Sequence, residues 1–165
     1  SSDLISRRLS EVAFLCLIVL GVAGLRPALA ETLFVVLSAD GQKQFAVTDD
    51  VIEKVGTTSF KAVLPSTDEP NYTVRGPLLR DIVAASGFKG SFVTVRALDG
   101  YEMDIPGDDY MKNDVVLAIE TNGKRLTRRD RGPAWIAYPS VEFPEFLGDS
   151  YAARSVWQVK DIIVK

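Results

Sequence analysis

The sequence predicts an α+β fold, mainly β, forming a single domain over residues 31–165 and preceded by one N-terminal hydrophobic helix in residues 1–30. Three observations predict it. Short β-rich runs recur along the chain and are separated by the turn dipeptides Asp40-Gly41, Asp99-Gly100 and Asn122-Gly123. Two stretches of the domain carry helix signals, and both are short. Ahead of the domain, Val12 to Leu25 is a run without a single charge.

The elements follow in order. Thr32–Leu37 is a strand, Asp40-Gly41 turns it, and Gln44–Val47 returns. Thr48 caps a short helix over Asp49–Val55, which has acids in its first turn and Gly56 past its end. Thr57–Val63 is β-rich, Leu64–Asn71 is a loop with two prolines, and Tyr72–Arg75 is a short strand. Pro77 suits a first helical position, Leu78, Leu79, Ile82 and Val83 make an apolar face, and Gly87 ends that helix. Ser91–Leu98 alternates like a half-buried strand and turns at Asp99-Gly100 into Tyr101–Ile105. Val115–Glu120 is one further strand, closed by Asn122-Gly123, a type I′ hairpin signal. Pro133–Tyr138 and Val156–Val164 complete the set. Periodic placement puts Leu79, Ile82, Val93, Val95, Val116, Leu117, Ile136, Val159 and Ile162 in the core.

The apolar run follows Arg7 and Arg8 and precedes Ala28-Leu29-Ala30, the small-x-small pattern of a signal-peptidase site. Cleavage there leaves a domain starting at Glu31, with sixteen Lys+Arg against twenty Asp+Glu. An uncleaved signal anchor is the alternative. Leu9 to Leu25 makes ~25 Å of helix, enough for a thin or locally thinned bilayer. Small residues Gly21, Ala23 and Gly24 would then let a partner helix approach closely. Either way the arginines hold the N-terminus in the cytoplasm and place 31–165 in the periplasm.

Composition removes much chemistry. The chain has no His and one Cys. That excludes Ser-His-Asp and Cys-His catalysis, histidine metal ligands, an internal disulfide and cysteine-rich metal centres. A net charge of −3 gives no reason to expect nucleic acid as a partner.

Several segments resemble a known family. Thr57-Thr58-Ser59-Phe60 and Arg75-Gly76-Pro77-Leu78-Leu79-Arg80-Asp81-Ile82 resemble the "TTS…F…GVPLRDLL" opening of the oxidoreductase molybdopterin-binding domain, the fold of the sulfite oxidase catalytic domain. Ala97–Tyr101 with Ile105-Pro106 is similar to its "A.DGY…IP" hairpin, Gly132–Pro139 to "GPLWIIYP", and Arg154–Ile162 to "RSIWQLKSI". The resemblance covers residues 57–165 and is nearest to small stand-alone exported bacterial members. It implies a mainly β fold with a groove for a pterin-type cofactor. In the enzymes of this family a cysteine thiolate binds molybdenum. The corresponding stretch here, Phe60–Tyr72, has no cysteine, nor has any other part of 31–165. The enzymes' phosphate-holding lysine near the final strand is matched by Trp157. The expectation is therefore no cofactor and no metal. Molybdopterin enters only through the resemblance.

The candidate anion or ligand groove consists of Arg128, Arg129 and Arg131, within a basic run that also holds Lys124 and Arg125, together with Arg154, Trp157 and Lys160. Arginine's planar fork suits phosphate or carboxylate. A solvated hairpin end with Asp130 as local partner is the plainer alternative. Phe143, Phe146 and Leu147, in a loop with two prolines, either pack on the domain or meet a protein partner. The acidic residues Asp99, Glu102, Asp104, Asp108 and Asp109 read as surface charge rather than a metal site. Together these features predict a non-catalytic periplasmic domain binding a protein partner or small anionic ligand, as an accessory subunit of a membrane complex if anchored. A periplasmic molybdopterin-dependent oxidoreductase is the alternative.

Overall fold

The computed structural model describes residues 30–67 and 71–165. The expected N-terminal helix, with Gly21, Ala23 and Gly24, lies outside the described residues. Among the described residues no helix is long and apolar enough to cross a membrane.

Strand β1 (Phe34–Leu37) pairs antiparallel with β2 (Gln44–Val47), and helix α1 (Asp49–Val55) follows. Thr48 caps α1 by accepting the Val51 N–H on its hydroxyl, and the Gly56 N–H closes the other end on the Ile52 carbonyl. Then come β3 (Thr58–Ala62), β4 (Tyr72–Gly76), α2 (Leu79–Ser86), β5 (Phe92–Ala97), β6 (Glu102–Pro106) and α3 (Gly107–Lys112). Three short strands, β7 (Val116–Ala118), β8 (Glu120–Thr121) and β9 (Lys124–Arg125), lead through a 3₁₀ turn at Arg128–Asp130 to β10 (Trp135–Ala137). A second 3₁₀ turn at Pro144–Leu147 precedes α4 (Asp149–Arg154) and the last strand, β11 (Val159–Val164).

The sequence expectation differs from this in three places. Pro77 is not the first residue of α2, which starts at Leu79 after Leu78 as cap. The Pro77 carbonyl instead accepts the Leu117 N–H, so this residue extends a ladder. The expected strand Val115–Glu120 is broken at Ile119 into β7 and β8, which belong to different sheets. Four α-helices are present among the described residues rather than two. The additional ones, α3 and α4, are six residues each and lack a side-chain cap, so neither period nor cap announces them.

The strands form sheets of order β2-β1-β11-β5-β6, β3-β4-β8-β9 and β10-β7. In the first, β1 and β11 run parallel, and its other pairs are antiparallel. The small β10-β7 sheet joins the other two. Residues 75–79 run along 115–119 through Ile119 N–H to Arg75, Leu117 N–H to Pro77 and Leu79 N–H to Val115. On the other side, Ile136 donates to Val156 and Val159 to Ala134, leading directly into β11.

That small sheet is a wall with apolar residues on both faces. Val115, Leu117, Ile119, Ala134, Ile136 and Tyr138 enter one buried cluster with β1, β5, β11 and α2. Val116, Ala118, Trp135 and Ala137 enter a second cluster with Ala62, Leu64, Val74 and Leu126. Period-two alternation explains the split, because successive side chains of a strand point to opposite faces. All nine predicted core residues are fully buried, with Val116 on the far side of the wall from the rest.

Candidate functional site

The site is built around the loop that follows β9. Asn122 and Gly123 take φ of +49° and +74°, both left-handed as a type I′ turn requires. The Asn122 carboxamide accepts the Thr73 N–H at 2.9 Å, which pins the hairpin to β4. Beyond the hairpin, Thr127 donates to Asp130 at 2.7 Å and the Gly132 N–H returns to the Thr127 carbonyl. Gln158 ties this loop to the last strand: its N–H donates to the Arg131 carbonyl at 2.8 Å and its Nε2 to the Arg128 carbonyl at 2.7 Å.

Arg131 is the centre of the arrangement. Its guanidinium carbon lies 5.0 Å from the Trp135 ring centroid and 5.1 Å from that of Trp157. The two indoles meet edge to face at 5.9 Å. Arg131 Nη2 also donates to the Ser66 carbonyl at 2.6 Å, and Trp135 Nε1 donates to the Ser155 carbonyl at 2.9 Å. The cation is therefore held by aromatic faces and a carbonyl.

Two cavities flank it. A mainly basic groove of about 550 Å³ is lined by Lys124, Arg125, Arg129 and Arg131, with Asp130 as the one carboxylate among its described lining residues, and by Tyr72, Thr67 and other residues of the β3–β4 and β8–β9 connections. Arg125 is bridged to Asp49, whereas Lys124, Arg129 and Arg131 have no carboxylate partner among the described residues. The second cavity, about 360 Å³, is lined by Trp157, Tyr101, Ala97, Ala152, Ala153 and Val156, with Pro65, Ser66, Asp99 and Ser155.

The predicted groove residues do not converge on one site. Arg129 and Arg131 line the basic groove, and Trp157 lines the second cavity. Arg128 is exposed and contributes its carbonyl to Gln158. Arg154 is turned away: its Nη1 donates to Asp109 at 2.9 Å, and its guanidinium carbon lies 5.4 Å from the Tyr151 ring centroid. The same Asp109 oxygen accepts the Tyr138 hydroxyl at 3.1 Å. Burial, then the Asp109 charge, pushes the Tyr138 hydroxyl far above the usual tyrosine range. Lys160 stands exposed on β11 at an irregularity between Val159 and Asp161. Among the described residues no three or more His, Cys, Asp or Glu side chains come together as a metal site would require.

Phe143 and Leu147 are exposed, but Phe146 packs inward on Tyr151 and Tyr138 with centroids 4.9 and 5.4 Å away. Sequence reasoning missed Ser66, Thr67, Tyr72 and Thr121 as groove residues. They carry no local signal and reach the basic loop only because β4 pairs with β8.

The second cavity lacks the thiolate through which the resemblance expects molybdenum to be held. The stretch expected to supply a thiolate brings Pro65 and Ser66 to the second cavity, and Trp157, where the resemblance expects a lysine, lines it as well. Among the described residues neither a soft anionic sulfur nor a free cation lines that space.

No curated protein sequence matches the chain. Among solved structures, the fold is similar to that in the crystal structure of the sulfane dehydrogenase SoxCD from Paracoccus pantotrophus, with a TM-score of 0.59 at 16% identity. That likeness covers 81% of this chain and 38% of the SoxCD chain. The family model for the oxidoreductase molybdopterin binding domain matches residues 49–163, and the chain belongs to that family.

Proposed function

We propose that this chain is a non-catalytic, exported member of its family that binds a small anionic ligand in the basic groove. One observation carries the reading. Lys124, Arg129 and Arg131 line a single cavity and form no ion pair among the described residues, against one lining carboxylate, Asp130, in a domain that has no thiol to ligate molybdenum. Arg131 is already rigid, so an anion meeting it orders little further side chain. The exposed Val141, Phe143 and Leu147 offer a protein partner an apolar face, which supports an accessory role in a larger complex. Residues 31–165 then work in the periplasm, released by signal cleavage or held by an anchor that includes Gly21, Ala23 and Gly24.

Inorganic pyrophosphate titrated into the full-length protein tests the groove by calorimetry. Binding should weaken with salt, and Lys124→Ala with Arg129→Ala should lower affinity about tenfold or more. An affinity indifferent to both changes overturns the reading. The rival function, a molybdopterin-dependent oxidoreductase, is favoured by family membership alone. Near-stoichiometric molybdenum in protein isolated from its host would establish it. Export is tested with alkaline phosphatase fused after Lys165: an inactive fusion places the domain in the cytoplasm and refutes the location.

A further inference from the structure

The second cavity has the opposite chemistry to the groove. Its floor is made of small apolar side chains, Ala97, Ala152, Ala153 and Val156, which leave about 360 Å³ of space. Two aromatic residues, Trp157 and Tyr101, stand in its walls. Among the described residues no Lys or Arg lines it, and Asp99 is its one charged residue. Asp99 makes no ion pair among the described residues; one carboxylate oxygen accepts the Tyr101 N–H at 2.9 Å. The Tyr101 hydroxyl in turn donates to the Ala153 carbonyl at 3.0 Å, so the turn that carries Asp99 is fastened to α4.

We infer that this cavity is a binding site for a small organic cation with an apolar body, such as an arylalkylamine. The body would lie on the alanine floor beside Trp157, and the ammonium would sit at Asp99 and Tyr101. A carboxylate joined to an aromatic ring is the combination that attracts an organic cation. Arg131 constrains the orientation. It packs against the Trp157 ring, so the ammonium end is favoured at the Asp99 rim and the apolar end at the indole.

The test uses full-length protein and three probes of one shape: phenethylamine, phenethyl alcohol and phenylacetate. Binding is read by calorimetry and by tryptophan fluorescence. Phenethylamine should bind about two- to fivefold tighter than phenethyl alcohol, reflecting one charge-assisted contact to a solvent-exposed carboxylate, and phenylacetate should bind most weakly. Asp99→Asn keeps the acceptor for the Tyr101 N–H and should erase the difference between amine and alcohol. Ala153→Leu should fill the floor and abolish binding of all three. Equal affinities for amine and alcohol in the parent protein overturn the assignment. So does a preference for phenylacetate, an unchanged amine affinity in the Asp99→Asn protein, or no binding of any probe. Failure here leaves the pyrophosphate result untouched, because Asp99 and Ala153 do not line the basic groove.

Discussion

Replacing Arg131 by alanine should cost far more than removing an ordinary surface arginine. The side chain packs on two indole rings, at 5.0 and 5.1 Å, and donates to the Ser66 carbonyl at 2.6 Å. For a half-buried cation, each ring contact contributes about 1 kcal/mol and the charged hydrogen bond about the same after solvent screening, giving a loss of about 3 kcal/mol. With a urea slope of ~2 kcal/mol/M, the unfolding midpoint falls by ~1.5 M. Lysine should recover less than half of the loss, because an ammonium keeps the charge but not the planar, weakly hydrated face that packs against the two rings. Tryptophan fluorescence is a direct assay, since the chain contains only Trp135 and Trp157 and both touch Arg131. An alanine variant within about 0.5 kcal/mol of the parent would place Arg131 among ordinary surface residues. Full rescue by lysine would show that charge, not stacking, holds the loop.

Further predictions concern the wall and its network. A Cβ added at Gly76 would lie 1.9 Å from the Leu117 carbonyl oxygen, a backbone atom that moves only if the β4–β7 contact opens. Gly76→Ala should therefore cost about 3 kcal/mol or more, measured as a lowered urea midpoint, while Gly148→Ala, with its nearest neighbour at 3.7 Å, stays near the parent. Tyr138, kept protonated by burial and by Asp109, should stay un-ionised in the folded protein when exposed tyrosines titrate, as read by absorbance at high pH. Its folded pKa is raised, so its contribution to stability is complete below about pH 10 and is lost as pH rises beyond that. Ionisation of every tyrosine in one step before unfolding would contradict this.

Much of the fold was legible locally. Thr48 and Gly56 bounded α1, Gly87 ended α2, and the three turn dipeptides marked their turns, because caps and left-handed turns depend on a few neighbouring residues. Alternation in Val93 and Val95, and the spacing of Leu79 and Ile82, identified core positions for the same reason. The family was legible too, since its motifs are contiguous stretches at the turns and strand ends. The division of Val115–Glu120 between two sheets was not. An unbroken apolar run has no period to show which face each residue meets, and here both faces are covered.

The site shows the same boundary. The basic run was visible as composition, but which cations remain available depends on partners distant in sequence: Asp49 for Arg125, Asp109 for Arg154. The absence of cysteine and histidine from residues 31–165 was determined by the sequence alone, and with it the absence of the thiolate that the resemblance expects to bind molybdenum. The packing of Arg131 against two tryptophans, and the separation of a basic groove from an apolar cavity beside it, were decided by tertiary structure. Trp135 and Trp157 are far apart along the chain and meet only because the 156–159 segment hydrogen-bonds along β10.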